Sequence, residues 1–347
     1  MTHILKIFTA TLFLTFGLLS CSSSSDDTPT PENNLPEFTD SPIDLGNIKA
    51  DFAKDIFYDN KSRTSFDIFL PESDTPTPLV IYIHGGGFTS GNKEYAYSIQ
   101  KNGKWDFPSD IRSFLDNGIA FASIRYTLLD ENDKEGVIKP LSDVKRALQY
   151  IRHRADDFNI DKTKIALGGN SAGAGTSLWI ATSDDMSDPE NDDPVLREST
   201  RVLGIAIRQT QSTYDLERWP DDVFGDYGLT FEEMASTSTG KLAQFYGISN
   251  TSEYNTDEIT EYRKQVDMLD HISPDDPEIW VENIFTEVVA PASTDILNHH
   301  AYHAKAIKEH AESAGVAVVA YYGKDPLLYA DPSGETWTEF FLRKLGK

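Results

Sequence analysis

From about residue 51 onward the chain alternates short apolar runs with stretches of helical period, and few architectures satisfy that alternation. "PLVIYIHGG" is a continuous apolar run, as expected of a strand buried on both faces. "IAFASIRY", "KIALGG", "RVLGIAIRQT" and "VAVVAYYG" repeat the pattern, and "DIFYDNKSRTSFDIFLPES" reads as two strands around a turn at Asp59, Asn60 and Lys61. Between them lie helices: "SDIRSFLDNG" with Ser109 as cap and Gly118 as stop, "SDVKRALQYIRHRADDF" with Val144, Ala147, Leu148 and Ile151 on one face, and "AGAGTSLWIATS". "ILNHHAYHAKAIKEHAESAG" and "ETWTEFFLRKL" are the last two. Strand, crossover helix and next strand imply an open, mainly parallel, twisted sheet with helices on both faces. Ligands of such sheets sit at the carboxyl ends of the strands.

The regularity stops between about 211 and 272, a lid-like insertion. Its aromatics Tyr214, Trp219, Phe224, Tyr227 and Phe245 are candidates either for a sugar or aryl pocket or for the insertion's own small core. The strand that follows is either "EIWVENI" or "TEVVAPA".

Two motifs fall where a site is expected. Gly169-Asn170-Ser171-Ala172-Gly173 joins the "KIALGG" strand to a helix, a sharp turn that strains the serine and admits only small neighbours. "IHGGGF", Ile83 to Phe88, follows an apolar strand about 85 residues earlier. The backbone N–H groups of Gly85, Gly86 and Gly87, with that of Ala172 at a helix start, can converge on one oxyanion. Ser171 is then the candidate nucleophile.

This pairing resembles the α/β-hydrolase-fold carboxylesterases of the hormone-sensitive-lipase and acetyl-esterase type, over roughly 55 to 347. "SIRYTLL" and "SDVKRALQYIRHRADDFNIDKTKIALGGNSAGAG" are similar to that group throughout. The resemblance implies an α/β-hydrolase fold, an acyl-enzyme on Ser171, oxyanion binding by Gly85 to Gly87, and a structural role for His84. It also implies the order Ser, acid, His, with the His after the last strand. Here "KDPLLYADPSGETW" follows that strand and holds no histidine; the final one in the chain is His310.

The base must come from elsewhere. Asp295, His299, His300 and His303 cluster in "DILNHHAYH", and on a helix from Asp295 the pair Asp295 and His299 meet at i, i+4. His300 and His303 share a face with Ile296 and Ile307. His299 or His300 is the candidate base and Asp295 the acid; with "EIWVENI" as the strand, Glu282 is the acid instead. His299 and His303 also have the spacing of a metal pair, without an evident third ligand. Histidines on a half-buried helix commonly serve packing alone. A second functional reading follows, that of a hydrolase fold kept as a binding protein after catalysis lapsed.

The N-terminus carries Lys6, an apolar run and Leu18-Leu19-Ser20-Cys21, then "SSSSDDTPTPENNLPEFTDSP". It resembles a bacterial lipoprotein signal of residues 1–20 with acylation at Cys21, followed by a flexible tether to residue 50. The resemblance implies a lipid anchor in the outer membrane of a Gram-negative cell envelope, with the Ser/Asp tract favouring surface exposure. Cys21 is the single cysteine, so no internal disulfide forms. A net charge of −25 disfavours nucleic acid and anionic lipid; the resemblance and the location it implies suggest a small acyl ester or acylated carbohydrate as partner. No motif for an organic cofactor is present.

Overall fold

The computed structural model describes residues 36–97, 105–238 and 241–347. The proposed signal peptide and Cys21 lie outside them. Ten strands form one sheet among the described residues: β1 (Phe38–Thr39), β2 (Ala50–Phe57), β3 (Ser65–Pro71), β4 (Thr77–Ile83), β5 (Ala120–Arg125), β6 (Ile160–Asn170), β7 (Gly204–Arg208), β8 (Glu278–Asn283), β9 (Val318–Tyr322) and β10 (Tyr329–Ala330). Their order is β1-β2-β3-β5-β4-β6-β7-β8-β9-β10. The six strands from β5 to β9 run parallel, and antiparallel strands flank them on both sides.

The central strands are apolar end to end because both faces are covered. Leu79, Ile81 and Ile83 of β4 enter one core, while Val80 and Tyr82 enter the other. Helices α2 (Ile138–His153), α3 (Ala172–Thr182) and α10 (Ala301–Ala314) cover the first face; α1 (Phe107–Asp116) and α11 (Trp337–Lys344) cover the second. Helix α3 is buried all round, since the insertion lies on its outer side: Trp179 Nε1 donates to Gln265 O at 2.9 Å. The insertion holds short helices α4 (Trp219–Asp222), α5 (Phe231–Thr237), α6 (Lys241–Phe245), α7 (Asp257–Gln265) and α8 (Met268–His271). Tyr214, Trp219 and Phe224 are buried, and they join the core of the first sheet face instead of forming a separate one.

Four expectations are corrected. The tether cannot reach residue 50, because β1 pairs with β2 and Ile43, Leu45 and Ile48 pack on the second core. Helix α1 is capped by Asp106, which accepts from Ser109 N at 3.1 Å, rather than by Ser109. The strand after the insertion is "EIWVEN", and 286–292 is irregular. The helix expected from Asp295 is two: α9 (Thr294–His299) ends at His300, whose φ of −57° and ψ of 143° leave the helical region before α10 begins.

Candidate active site

Ser171 occupies the turn between β6 and α3 with φ 52° and ψ −120°, a conformation costly for any residue with a side chain. The turn is tight because α3 starts directly beneath the end of β4. A Cβ at Gly173 would lie 2.0 Å from Ile83 O, which explains the second motif glycine. The Ser171 N–H donates to Arg208 O at 2.9 Å, fixing the turn to β7.

Ser171 Oγ lies 2.9 Å from His299 Nε2, and His299 Nδ1 lies 2.9 Å from Asp295 Oδ1. The carboxylate only accepts, so Nδ1 carries the proton and Nε2 is left to accept from the serine hydroxyl. Two distant parts of the chain thus bring together a hydroxyl, an imidazole and a carboxylate in the arrangement a nucleophile, base and orienting acid would take. The i, i+4 spacing of Asp295 and His299 survives in the six residues of α9, although the long helix does not.

The turn that presents His299 is held by its carbonyls. His303 Nδ1 accepts from Ser212 N at 3.2 Å, so its Nε2 carries the proton and donates to Leu297 O at 2.9 Å. Gln211 Nε2 donates to Asn298 O at 2.7 Å, and Asn283 Nδ2 donates to His300 O at 3.0 Å. Side chains thus satisfy the carbonyls a helix end leaves open, and they do so on both sides of the base. Gln211, Asn283 and the role of His303 escaped the sequence reading, because their partners are brought together only by the sheet.

His300 is not the base. It is fully buried, its Nδ1 accepts from Tyr302 N at 3.1 Å and its Nε2 faces Tyr227 Oη at 3.2 Å. The metal pair fails too, since both nitrogens of His303 are engaged within the protein. Glu282 is no triad acid; it pairs with Arg208 at 3.2 Å. His84 stacks on Tyr126 with centroids 4.3 Å apart and donates from Nδ1 to Gly85 O at 2.7 Å, so it shapes the glycine loop.

Burial lowers the pKa of His84 and His300 to about 4 and of His303 to about 3, from 6.5. All three fold neutral and must bind protons on unfolding, so their stabilisation is full above about pH 6.5 and fades as pH falls. The unfolding free energy is expected to drop between pH 6.5 and 5, by roughly 2 kcal/mol at most for each group, and the urea midpoint to fall with it. A midpoint constant across that window would contradict this.

A cavity of about 680 Å³ opens over the triad, at the carboxyl ends of β4, β6, β7 and β8. Gly86, Gly87, Ser171, Asp295 and His299 line it. Gly85 is not in the wall; a Cβ there would meet Asn170 O at 2.7 Å, so the position admits only a glycine against the turn. Ala172 is also absent from the wall, but it opens α3, where its N–H has no partner within the helix. The aromatic wall is Trp105 and Phe285, centroids 5.3 Å apart, rather than the insertion's aromatics. Sequence reading missed both because each stands in a segment without period. Thr89, Ser90, Asn170, Thr286, Thr294, Asn298 and Gln209 complete a lining that includes no lysine or arginine among the described residues.

Several known proteins resemble the chain. A family model described as BD-FAE matches residues 66–220, a span that includes Gly86, Gly87 and Ser171 and ends before Asp295 and His299. A chlorogenic acid esterase from Aspergillus niger is 31% identical over 108 residues, 30% of this chain and 20% of that enzyme. The match thus spans about a fifth of that relative's length. A truncated carbohydrate esterase from gut microbiota has a TM-score of 0.59 at 16% identity, covering 92% of this chain and 100% of that one. An acetyl ester-xyloside bifunctional hydrolase from Caldicellulosiruptor lactoaceticus has a TM-score of 0.52 at 17% identity, covering 93% and 99%. At such identities the likeness is one of fold, and the chain has the α/β-hydrolase fold.

Proposed function

We propose that the protein is a serine carboxylic-ester hydrolase that removes acyl groups from carbohydrates or small acyl esters. The observation that carries this reading is the chain of contacts from Ser171 Oγ through His299 to Asp295, at 2.9 Å each, in a cavity walled by Gly86 and Gly87. Ser171 Oγ attacks the ester carbonyl and gives its proton to His299 Nε2. The N–H groups of Gly86, Gly87 and Ala172 hold the oxyanion. His299 returns the proton to the leaving alcohol, and water then hydrolyses the acyl-enzyme by the same route. The names of similar proteins support an acylated carbohydrate, and a lining without lysine or arginine among the described residues suits a neutral one. The alternative of a lapsed binding protein drew on the missing terminal histidine, and the His299 contact supports the enzyme reading over it.

The test is release of acetate from acetylated xylan and of p-nitrophenolate from p-nitrophenyl acetate. Turnover above background on at least one is expected; none on either would sink the proposal.

The proposal extends to location: a lipid anchor on Cys21 would hold the enzyme at the outer membrane of a Gram-negative cell envelope, facing outward. Support comes from the apolar leader, the Leu18-Leu19-Ser20-Cys21 stretch and the polar tract that follows. Cys21→Ser is expected to move the protein out of the membrane fraction. Retention there after the substitution would contradict anchoring through Cys21.

A further inference from the structure

Gln209 carries two local costs at one position. Its φ is 52°, in the left-handed region that a residue with a side chain seldom enters. Its side chain is nearly buried, at 6% exposure, and Nε2 meets no acceptor among the described residues. Unpaired buried donors and positive φ are rare in protein interiors, and both concentrate where function requires them. The backbone is firmly held, with Gln209 N donating to Glu282 O at 2.8 Å. Gln209 is one of the residues that line the cavity that holds Ser171 and His299, with Nε2 itself tucked beneath the surface.

Sheet order gives the residue a side. Strand β6, which ends at the nucleophile, lies between β4 and β7. The Gly86 and Gly87 loop follows β4 and takes one flank of Ser171; Gln209 follows β7 and takes the other. His299 comes from the segment after β8, the next strand on that same flank. It must return its proton to the leaving oxygen, so the alcohol half of the ester lies on the Gln209 side.

We propose that Gln209 binds the alcohol half of the substrate, its side-chain amide donating to an oxygen beside the scissile ester in a polyhydroxylated alcohol such as a monosaccharide. The inference rests on the ester-hydrolase reading. The hydroxyl-bearing neighbours Thr89, Ser90, Thr286 and Thr294 and the Trp105 ring give the same cavity the mixed lining that a sugar fits.

The experiment compares kcat/KM on monoacetylated methyl xyloside and on p-nitrophenyl acetate, whose alcohol has no neighbouring hydroxyl. Gln209→Met keeps the length and removes the donor; Gln209→Gly removes the donor and relieves the backbone strain, so one of the pair folds even where the other does not. Either variant is expected to lose about tenfold more on the xyloside than on the aryl ester. Equal losses on both esters would overturn the proposal and leave Gln209 a structural residue. Wild-type turnover of the aryl ester with none of the xyloside would overturn it while leaving the hydrolase reading intact. Turnover of neither would overturn both.

Discussion

Ser171→Ala is expected to cost roughly 10⁴- to 10⁶-fold in kcat on any ester the protein hydrolyses, with the fold unchanged. Among the described residues the hydroxyl that faces His299 Nε2, at 2.9 Å, is that of Ser171, presented by the turn between β6 and α3. The same turn stores energy that the mutant can release. A serine at φ 52° and ψ −120° is strained by about 1–3 kcal/mol, and a glycine there loses the strain while costing about 0.5–1 kcal/mol of chain entropy. Ser171→Gly should therefore be inactive and more stable by about 1 kcal/mol, a rise of roughly 2 °C in Tm. Thermal unfolding of the two variants beside wild type checks this. A glycine variant less stable than wild type would show that the turn carries no strain.

His299→Ala is expected to cost roughly 10³- to 10⁵-fold. Added to Ser171→Ala it should cost nothing further, since a base without its nucleophile has no task. Asp295→Asn is the milder change. The Asp295 side chain is 78% exposed, so water screens its charge and can partly solvate an imidazolium in its place. A loss of about 10- to 100-fold is expected, short of the ~10⁴ seen where such an acid is buried. Steady-state kinetics of the three single variants and the double variant measure all of these. A His299→Ala enzyme within tenfold of wild type would remove His299 from the mechanism.

What the sequence made legible were features coded within a few residues. The apolar runs of β4 through β9 signal burial on both faces because each strand does carry two cores, as Val80 and Ile81 illustrate. The turn around Ser171 is legible because a helix starting under a strand end admits only small residues at Gly169 and Gly173. Asp295 and His299 are legible as a pair because one helical turn suffices to bring them together.

What stayed hidden depends on contacts across the chain. Nothing local marks the break at His300, where a histidine ring accepts from Tyr302 N in place of a usual capping side chain. Gln211 and Asn283, which donate to Asn298 O and His300 O, come from the ends of two other strands. Trp105 and Phe285 reach the cavity from irregular segments. The two-residue strand β1 hides in a proline-rich polar stretch that offers no period to detect.

The central claim is that Ser171 is activated by a histidine carried on the segment after β8. Labelling with an alkyl phosphonate ester, followed by mass spectrometry of the digested protein, tests it most directly. The adduct is expected on the peptide containing Ser171, formed about 10³-fold more slowly in His299→Ala. An adduct on another residue, or an unchanged rate in His299→Ala, would contradict the account.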